Sequence, residues 1–226
     1  MTNGHEQPGS RTPAHLPDLR LRVGELGRRA WIAHCAEWLA DDEASTLFTA
    51  FREGLGWCER AIVAKTPTRE RSVMQPRLIA WCGETPYRYS GQTLEPMGWH
   101  PVLQTLTERV SAAVGLEMNH VVANLYRSGR DHVRMHADDE HELGKDPLIA
   151  SISLGETRVF TMETRDKRRK RRTMRLTHGS LLVMGGAMQH TWRHAVLPDD
   201  DRPGERINLT FRRLMGPPGW RPDPLS

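Results

Sequence analysis

Six short runs follow Gly115: VVANLYR, LIASISLG, TRVFTMET, TMRLTH, SLLVMGG and INLTFRRL. They alternate or cluster apolar residues over strand-like lengths, and Gly, Asp or basic turns separate them. A half-chain built of such closely spaced strands has few ways to bury them all. Antiparallel closure into two packed sheets, a jelly-roll barrel, leaves few unpaired edges. The 226 residues suffice for one such domain with a sizeable core.

Helical spacing is confined to the first half. In 41-DDEASTLFTAFREGLGW-57 acidic and capping residues precede Leu47, Phe48 and Phe51, and Gly54 predicts the stop. Between Pro101 and Val114 the stripe Val102, Leu103, Leu106, Val110 and Ala113 predicts a second packing helix, ended by Gly115. The expected class is α+β, with N-terminal helices flanking a β core. Residues 1–28 hold few large apolar groups and read as a flexible arm, 29–216 as the domain with its core at 118–214, and 217–226 as a tail. No internal repeat is present. No run approaches the ~20 apolar residues of a membrane span, and residues 1–20 lack an apolar signal core, so a cytoplasmic monomer with no membrane contact is expected. Cys35, Cys58 and Cys82 stand far apart without CxxC pairing and read as reduced core thiols.

The chemistry concentrates in 132-HVRMHADDEHELG-144, which holds three histidines, two aspartates and two glutamates. His136 and Asp138 are two apart, so an extended chain points both to one side. Later, 189-QHTWRHAVLP-198 offers His190 and His194, either placed to supply a third ligand. Two imidazoles and one carboxylate form the facial set that holds iron(II) and leaves positions open. Alone, H-x-D also suits a solvated loop.

In 206-RINLTFRR-213 the polar Arg206, Asn208, Thr210 and Arg212 alternate with Ile207, Leu209 and Phe211. Either that polar face meets water, or it looks into the barrel, where guanidinium groups need anions and a dicarboxylate would suit their forked geometry. Asn124 and Tyr126 add an amide and a phenol on one face of another run. The net charge of +4 is clustered, since seven of the eight residues in 165-RDKRRKRR-172 are Lys or Arg. Lying between two strand runs, this stretch predicts a hairpin loop, either merely solvated or a footprint for phosphates.

The ordered set NLYRSGRDHVRMHADDE, IASISLG, HGSLLVMGG, TWRHAVLP and RINLTFR closely resembles the AlkB-like Fe(II)/2-oxoglutarate-dependent dioxygenases over about residues 30–215. The resemblance implies a double-stranded β-helix core, iron ligands His136, Asp138 and His194, and His190 as a bystander. It also implies 2-oxoglutarate contacts from Asn124, Tyr126, Arg206, Asn208, Thr210 and Arg212. Arg206 would meet the distal carboxylate, Arg212 would lie nearer the chelating end, and O2 would be the second cosubstrate. The segment 76-PRLIAWCGETPYRYSG-91 resembles a substrate lid spanning about 60–95, which assigns Arg77, Tyr87 and Tyr89 to the substrate, with Tyr89 stacking opposite His136 and Tyr87 joined by Glu140, from outside the lid, at the base's polar edge. Lys167, Arg168, Arg169, Lys170, Arg171 and Arg172 would contact the nucleic-acid backbone.

The implied activity is oxidative demethylation of alkylated DNA bases such as 1-methyladenine and 3-methylcytosine, releasing formaldehyde, succinate and carbon dioxide. A duplex-opening wedge would fall within 61–74, where no aromatic residue occurs, so single-stranded DNA or RNA is favoured. Two other readings stand beside it. One keeps the oxygenase chemistry on RNA or a protein side chain. The other is a non-catalytic jelly-roll module that binds metal and nucleic acid.

Overall fold

Hydrophobic spacing places two helices against one sheet, and that sheet against another. The computed structural model describes residues 22–215 except 28, 67, 68, 90, 91, 96 and 168, with the backbone alone at 22–25, 62–66, 69–71, 87–89, 92 and 94. The chain begins with β1 (Arg22–Gly27), β2 (Ala30–Cys35), α1 (Asp41–Gly54), β3 (Ala61–Thr66), β4 (Arg69–Met74), β5 (Leu78–Gly83), β6 (Tyr87–Tyr89) and β7 (Gln92–Leu94). It continues with α2 (Pro101–Val114), β8 (His120–Tyr126), β9 (Val133–His136), β10 (Ile149–Gly155), β11 (Arg158–Thr164) and β12 (Arg171–Leu176). The described part closes with β13 (Ser180–Gly186), α3 (Met188–Thr191), β14 (Trp192–Val196) and β15 (Arg206–Arg212). None of its helices is long and apolar enough to cross a membrane.

Seven strands form a major sheet in the order β1-β2-β13-β10-β15-β8-β5, and four form a minor sheet, β12-β11-β14-β9. Among the described residues, neighbouring strands in both sheets run antiparallel. Two hairpins, β3-β4 and β6-β7, lie apart from these sheets. The two-sheet expectation holds, as do both helices: Gly115 ends α2 at φ 67, a left-handed cap that glycine adopts without a Cβ clash. Two assignments change. Residues 22–27, placed by sequence in the flexible arm, form β1 and pair with β2; residues 1–21 and the 217–226 tail lie outside the described residues. Arg171 and Arg172 belong to β12, not to the hairpin loop, because their backbones pair with Glu163 and Met162.

The central strands bury both faces. Val121, Ala123 and Leu125 of β8, Ala150, Ile152 and Leu154 of β10, and Ile207, Leu209 and Phe211 of β15 join a core with Phe51 of α1 and Leu103, Leu106 and Val110 of α2. Their alternate residues turn inward, toward the space between the sheets, where Tyr126, Ile149, Phe160, Met162, Met184 and Trp192 build a second core. Alternation here separates two buried environments rather than core from water, so the inner-facing polar groups must find partners inside.

β9 carries a bulge. His194 pairs with His136 and Val196 with Val133, so between these rungs one residue of β14 faces two of β9. Val133 and His136 therefore both turn inward, a re-aiming for which bulges are used near functional sites.

His120, at the buried end of β8 beside Arg212 of β15, has its pKa lowered to about 3 by burial and then by the Arg212 charge. In the unfolded chain a histidine titrates near ~6.5, so the unfolded state binds the extra proton first and this group's contribution is lost as pH falls from about 6.5 toward 3. We expect His120→Gln to flatten the acid side of the stability profile by up to ~1.4 kcal/mol per pH unit. Urea midpoints of the metal-free protein across that window measure it, and an unaltered slope would remove His120 as a source.

Candidate metal centre and cosubstrate cavity

β9, β14 and the loop after β9 bring three donors together. One ligand atom each from His136, Asp138 and His194 lies within 4.8 Å of the others. Across the β9–β14 rung the two imidazole centroids are 4.3 Å apart, and Asp138 Oδ2 is 3.6 Å from His194 Nε2. His136 Nδ1 meets the Arg134 carbonyl at 2.8 Å; a carbonyl only accepts, so Nδ1 carries a proton and Nε2 is the ring nitrogen left to face a metal. Burial, the neighbouring His136 and Arg212 push the His194 pKa down to about 3 against the pull of Asp138, which leaves this imidazole neutral at physiological pH. Burial pushes the Asp138 carboxyl up, but the charges of Arg212, His194 and His136 more than offset it and hold the group below the usual carboxylate range. Asp138 and His194 are thus in the protonation state a metal requires, and with His136 beside them the set fits iron(II).

His190, the other third-ligand option, turns away. It is 46% exposed, and its Nε2 pairs with Asp146 Oδ1 at 3.2 Å.

Next to this trio, a cavity with about 490 Å³ of non-protein space lies between the sheets. Asn124, Tyr126, Arg206, Asn208, Thr210 and Arg212, all six of the sequence-predicted cosubstrate residues, line it. Arg206 is 1% exposed, so its face does not meet water. Its Nη2 donates to Ser153 Oγ at 2.8 Å, while Nε and Nη1 are buried without hydrogen-bond partners among the described residues. Unsatisfied guanidinium donors facing a cavity fit a carboxylate ligand. Arg212 lies at the metal end instead: its Nη2 donates to Asp138 Oδ1 at 2.7 Å, which holds that oxygen and leaves Oδ2 toward His194. Asn208 Nδ2 donates to Ser151 Oγ at 2.7 Å, and the Thr210 hydroxyl donates to Asn208 Oδ1 at 3.3 Å.

Sequence reasoning overlooked Ser151 and Ser153, although their period-two spacing in IASISLG was legible: they face Thr210 and Asn208 across the β10–β15 register. It also missed Arg158. This residue is 1% exposed, and its guanidinium donates to the carbonyls of Ser128, Gly129, Asp131 and Leu197 at 2.7–3.2 Å. Arg158 and Arg206 both pack on the Tyr126 ring, at 5.7 and 5.1 Å from its centroid. Burial lowers the pKa of each guanidinium. No spacing signal marks Arg158, because its partners are backbone carbonyls of distant loops.

A second, wider cleft of about 1310 Å³ opens along β9. Arg77, Glu140, Val73 and Met74 help to wall it, as do His136 and Asp138. Val73 and Met74 are exposed there. Arg77, assigned by sequence to the substrate, is largely built in: Nε donates to Asn124 Oδ1 at 2.7 Å and Nη1 to the His132 carbonyl at 3.2 Å. It lines the cleft, and its partner Asn124 lines the cavity. Tyr87 and Tyr89 lie on β6, and the roles expected of their side chains fall outside the described residues.

Of the basic run, Lys167, Arg169, Lys170 and Arg172 are exposed, and none enters an ion pair among the described residues; Arg168 is not among these. Arg171 differs, since its Nη2 is 3.2 Å from Glu163, a carboxylate that Arg193 also reaches at 3.5 Å.

Comparison with known proteins agrees with this site. The model of the 2OG-Fe(II) oxygenase superfamily matches residues 32–212. Human alpha-ketoglutarate-dependent dioxygenase alkB homolog 3 is 39% identical over 189 residues, 80% of this chain and 65% of that protein. The chain thus spans just under two thirds of that relative. Mouse DNA oxidative demethylase ALKBH2 is 35% identical over 210 residues, covering 85% of this chain and 87% of the relative. The solved structure of OsALKBH1 superposes with a TM-score of 0.58 over 85% of this chain and all of that one; at 18% identity it supports the fold. A match that runs from β2 to the last residue of β15 takes in every donor of the metal trio and the whole cavity wall, and the chain belongs to the 2OG-Fe(II) oxygenase superfamily as an AlkB-like member.

Proposed function

We propose that this chain removes N-methyl groups from alkylated bases of the 1-methyladenine and 3-methylcytosine type in DNA, by oxidation dependent on iron(II), 2-oxoglutarate and O2. One observation carries the reading. His136 and Asp138 border both the narrow cavity and the wide cleft, so a metal held there would face a buried cosubstrate on one side and an open substrate space on the other.

When bound, iron and 2-oxoglutarate supply the oxidising equivalent from dioxygen, yielding succinate and carbon dioxide while one oxygen atom enters the methyl C–H bond. The protein's own groups do the placing. Arg206 offers its free donors to the distal carboxylate, and the Tyr126 ring beneath it keeps water from that end. Arg212 neutralises Asp138 and keeps one carboxylate oxygen directed at the metal. Arg77, held by Asn124 and the His132 carbonyl, stands on the cleft side, where the base would enter. The hydroxymethyl product collapses by loss of its hydroxyl proton to solvent and cleavage of the C–N bond, whose electron pair returns to the ring nitrogen as its lone pair, and formaldehyde is freed.

The target base must leave any duplex stack to reach the cleft. Val73 and Met74 give the rim an apolar surface, and the unpaired cations at Lys167, Arg169, Lys170 and Arg172 offer sites for phosphates along the strand.

The decisive test is anaerobic loading with iron(II), then O2 and 2-oxoglutarate with a methylated oligonucleotide, reading the base by mass spectrometry. Loss of one CH2 per lesion, dependent on both cofactors, is the expected result; succinate without change of the base would refute the substrate, and no turnover in a metal-loaded, folded sample would refute the enzyme. DNA and RNA oligonucleotides run side by side decide the polymer. For Arg206→Met we expect a roughly ten- to hundredfold higher 2-oxoglutarate requirement, the loss of one charged hydrogen-bonding group. An unchanged requirement would remove Arg206 from the cosubstrate site. Neutralising Lys167, Arg169, Lys170 and Arg172 together should lower the salt dependence of oligonucleotide binding, by up to ~0.7–0.9 in log–log slope for each phosphate no longer neutralised. An identical slope would return the hairpin to plain solvation.

A further inference from the structure

Gln189 lies on α3, outside the ligand set, and is wholly buried. Asp138 donates its backbone N–H to Gln189 Oε1 at 3.0 Å, and because that N–H can only donate, the contact fixes the direction of the amide. Nε2 then points to Met184 Sδ, 3.7 Å away on the cavity wall. The backbone carbonyl of Gln189 accepts from Arg165 Nη1 at 3.2 Å, and the same nitrogen reaches Asp139 Oδ2 at 2.8 Å. A closed ring results, running from Asp138 to Asp139, to Arg165, to Gln189 and back to Asp138. It joins positions 51 and 26 residues apart in sequence and ties the ligand loop to α3 and to the end of β11.

We propose that Gln189 is a positioning residue for the carboxylate ligand, its side chain fixing the main chain of Asp138 while Arg165 holds its backbone carbonyl from outside. The proposal rests on the reading of His136, Asp138 and His194 as the metal site. Arg212 holds one oxygen of Asp138 but leaves its backbone free to swing; the Gln189 contact removes that freedom, so Oδ2 stays at the mutual distance a metal needs. Without the acceptor a buried N–H is left unsatisfied, and the loop relieves this by moving, which takes the carboxylate with it. Arg165, counted by sequence with the phosphate-binding run, is thereby given a different task, and its pairing with Asp139 is the outer half of the clamp.

The test uses Co(II), whose visible bands report ligand geometry, titrated into the metal-free protein alongside melting of the same protein without metal. Gln189→Met keeps the side-chain length and removes the oxygen acceptor; we expect Co(II) binding weakened roughly ten- to hundredfold, as for other supporting ligand contacts, with altered visible bands. Arg165→Ala, at a half-exposed position, should weaken Co(II) several-fold with the metal-free melting temperature unchanged. Wild-type affinity and bands in both single variants would overturn the clamp. If Gln189→Met does not fold, Arg165→Ala decides alone: undiminished Co(II) affinity there refutes the proposal. Failure of the wild-type chain to bind Co(II), or binding indifferent to His194→Ala, would instead refute the metal site beneath it.

Discussion

The contact between Arg212 and Asp138 joins the centre of the major sheet to the loop at the edge of the minor one. Both side chains are almost wholly buried, so each charge depends on the other. Removing one partner of such a pair typically costs ~3–5 kcal/mol, because the survivor stays buried without compensation. The pair therefore fixes the distance between β15 and the loop after β9, and with it the angle at which the carboxylate meets the two imidazoles. Those imidazoles are themselves placed by a single β9–β14 rung and by the bulge that turns His136 inward. Sheet register and charge pairing converge on one point, and neither alone would set it.

The same logic explains how the inner wall is built. β8, β10 and β15 turn one face to the helices and the other into the barrel, so Asn124, Ser151, Ser153, Asn208 and Thr210 stand where a purely structural protein would place Val or Leu. Buried polar groups cost free energy unless hydrogen-bonded, and most of these satisfy one another. Arg158 extends the arrangement outward, gathering four carbonyls from two loops under the Tyr126 ring. A local break with the rule of apolar interiors, confined to one wall, is where function is expected.

Much of this was legible because strand periodicity is strict. The alternation in RINLTFRR put Arg206 and Arg212 on one face, and that face proved to be the cavity wall. H-x-D marked two ligands, while the choice of His194 over His190 needed the family resemblance, since both stand near the same strand. What sequence could not show depends on contacts between distant segments. β9 is four residues long and bulged, too short and irregular for a periodic signal. Arg165 and Arg171 looked like members of one phosphate-binding run, and no pattern showed that the fold brings an acid to each, Asp139 in one case and Glu163 in the other. Arg77 lines the wide cleft, where the resemblance assigns it to the substrate, and its tie to Asn124, 47 residues away on β8, carried no signal in the sequence.

The asymmetry of the two buried arginines on β15 sets what the cavity asks of its ligand. Arg212 is matched by Asp138, so the metal end is close to neutral before any cosubstrate enters. Arg206 has a hydroxyl and an aromatic face but no acid among the described residues, and Arg158 packs on the same ring. The far end is therefore an uncompensated positive region in a low-dielectric interior, where an anion is worth more than in water. A ligand with a carboxylate at each end satisfies both requirements: one end completes the metal's coordination, and the other supplies the charge that Arg206 lacks. A monocarboxylate would leave one of them unmet, and binding at the distal end would lose the charge-assisted bonds that distinguish a dicarboxylate.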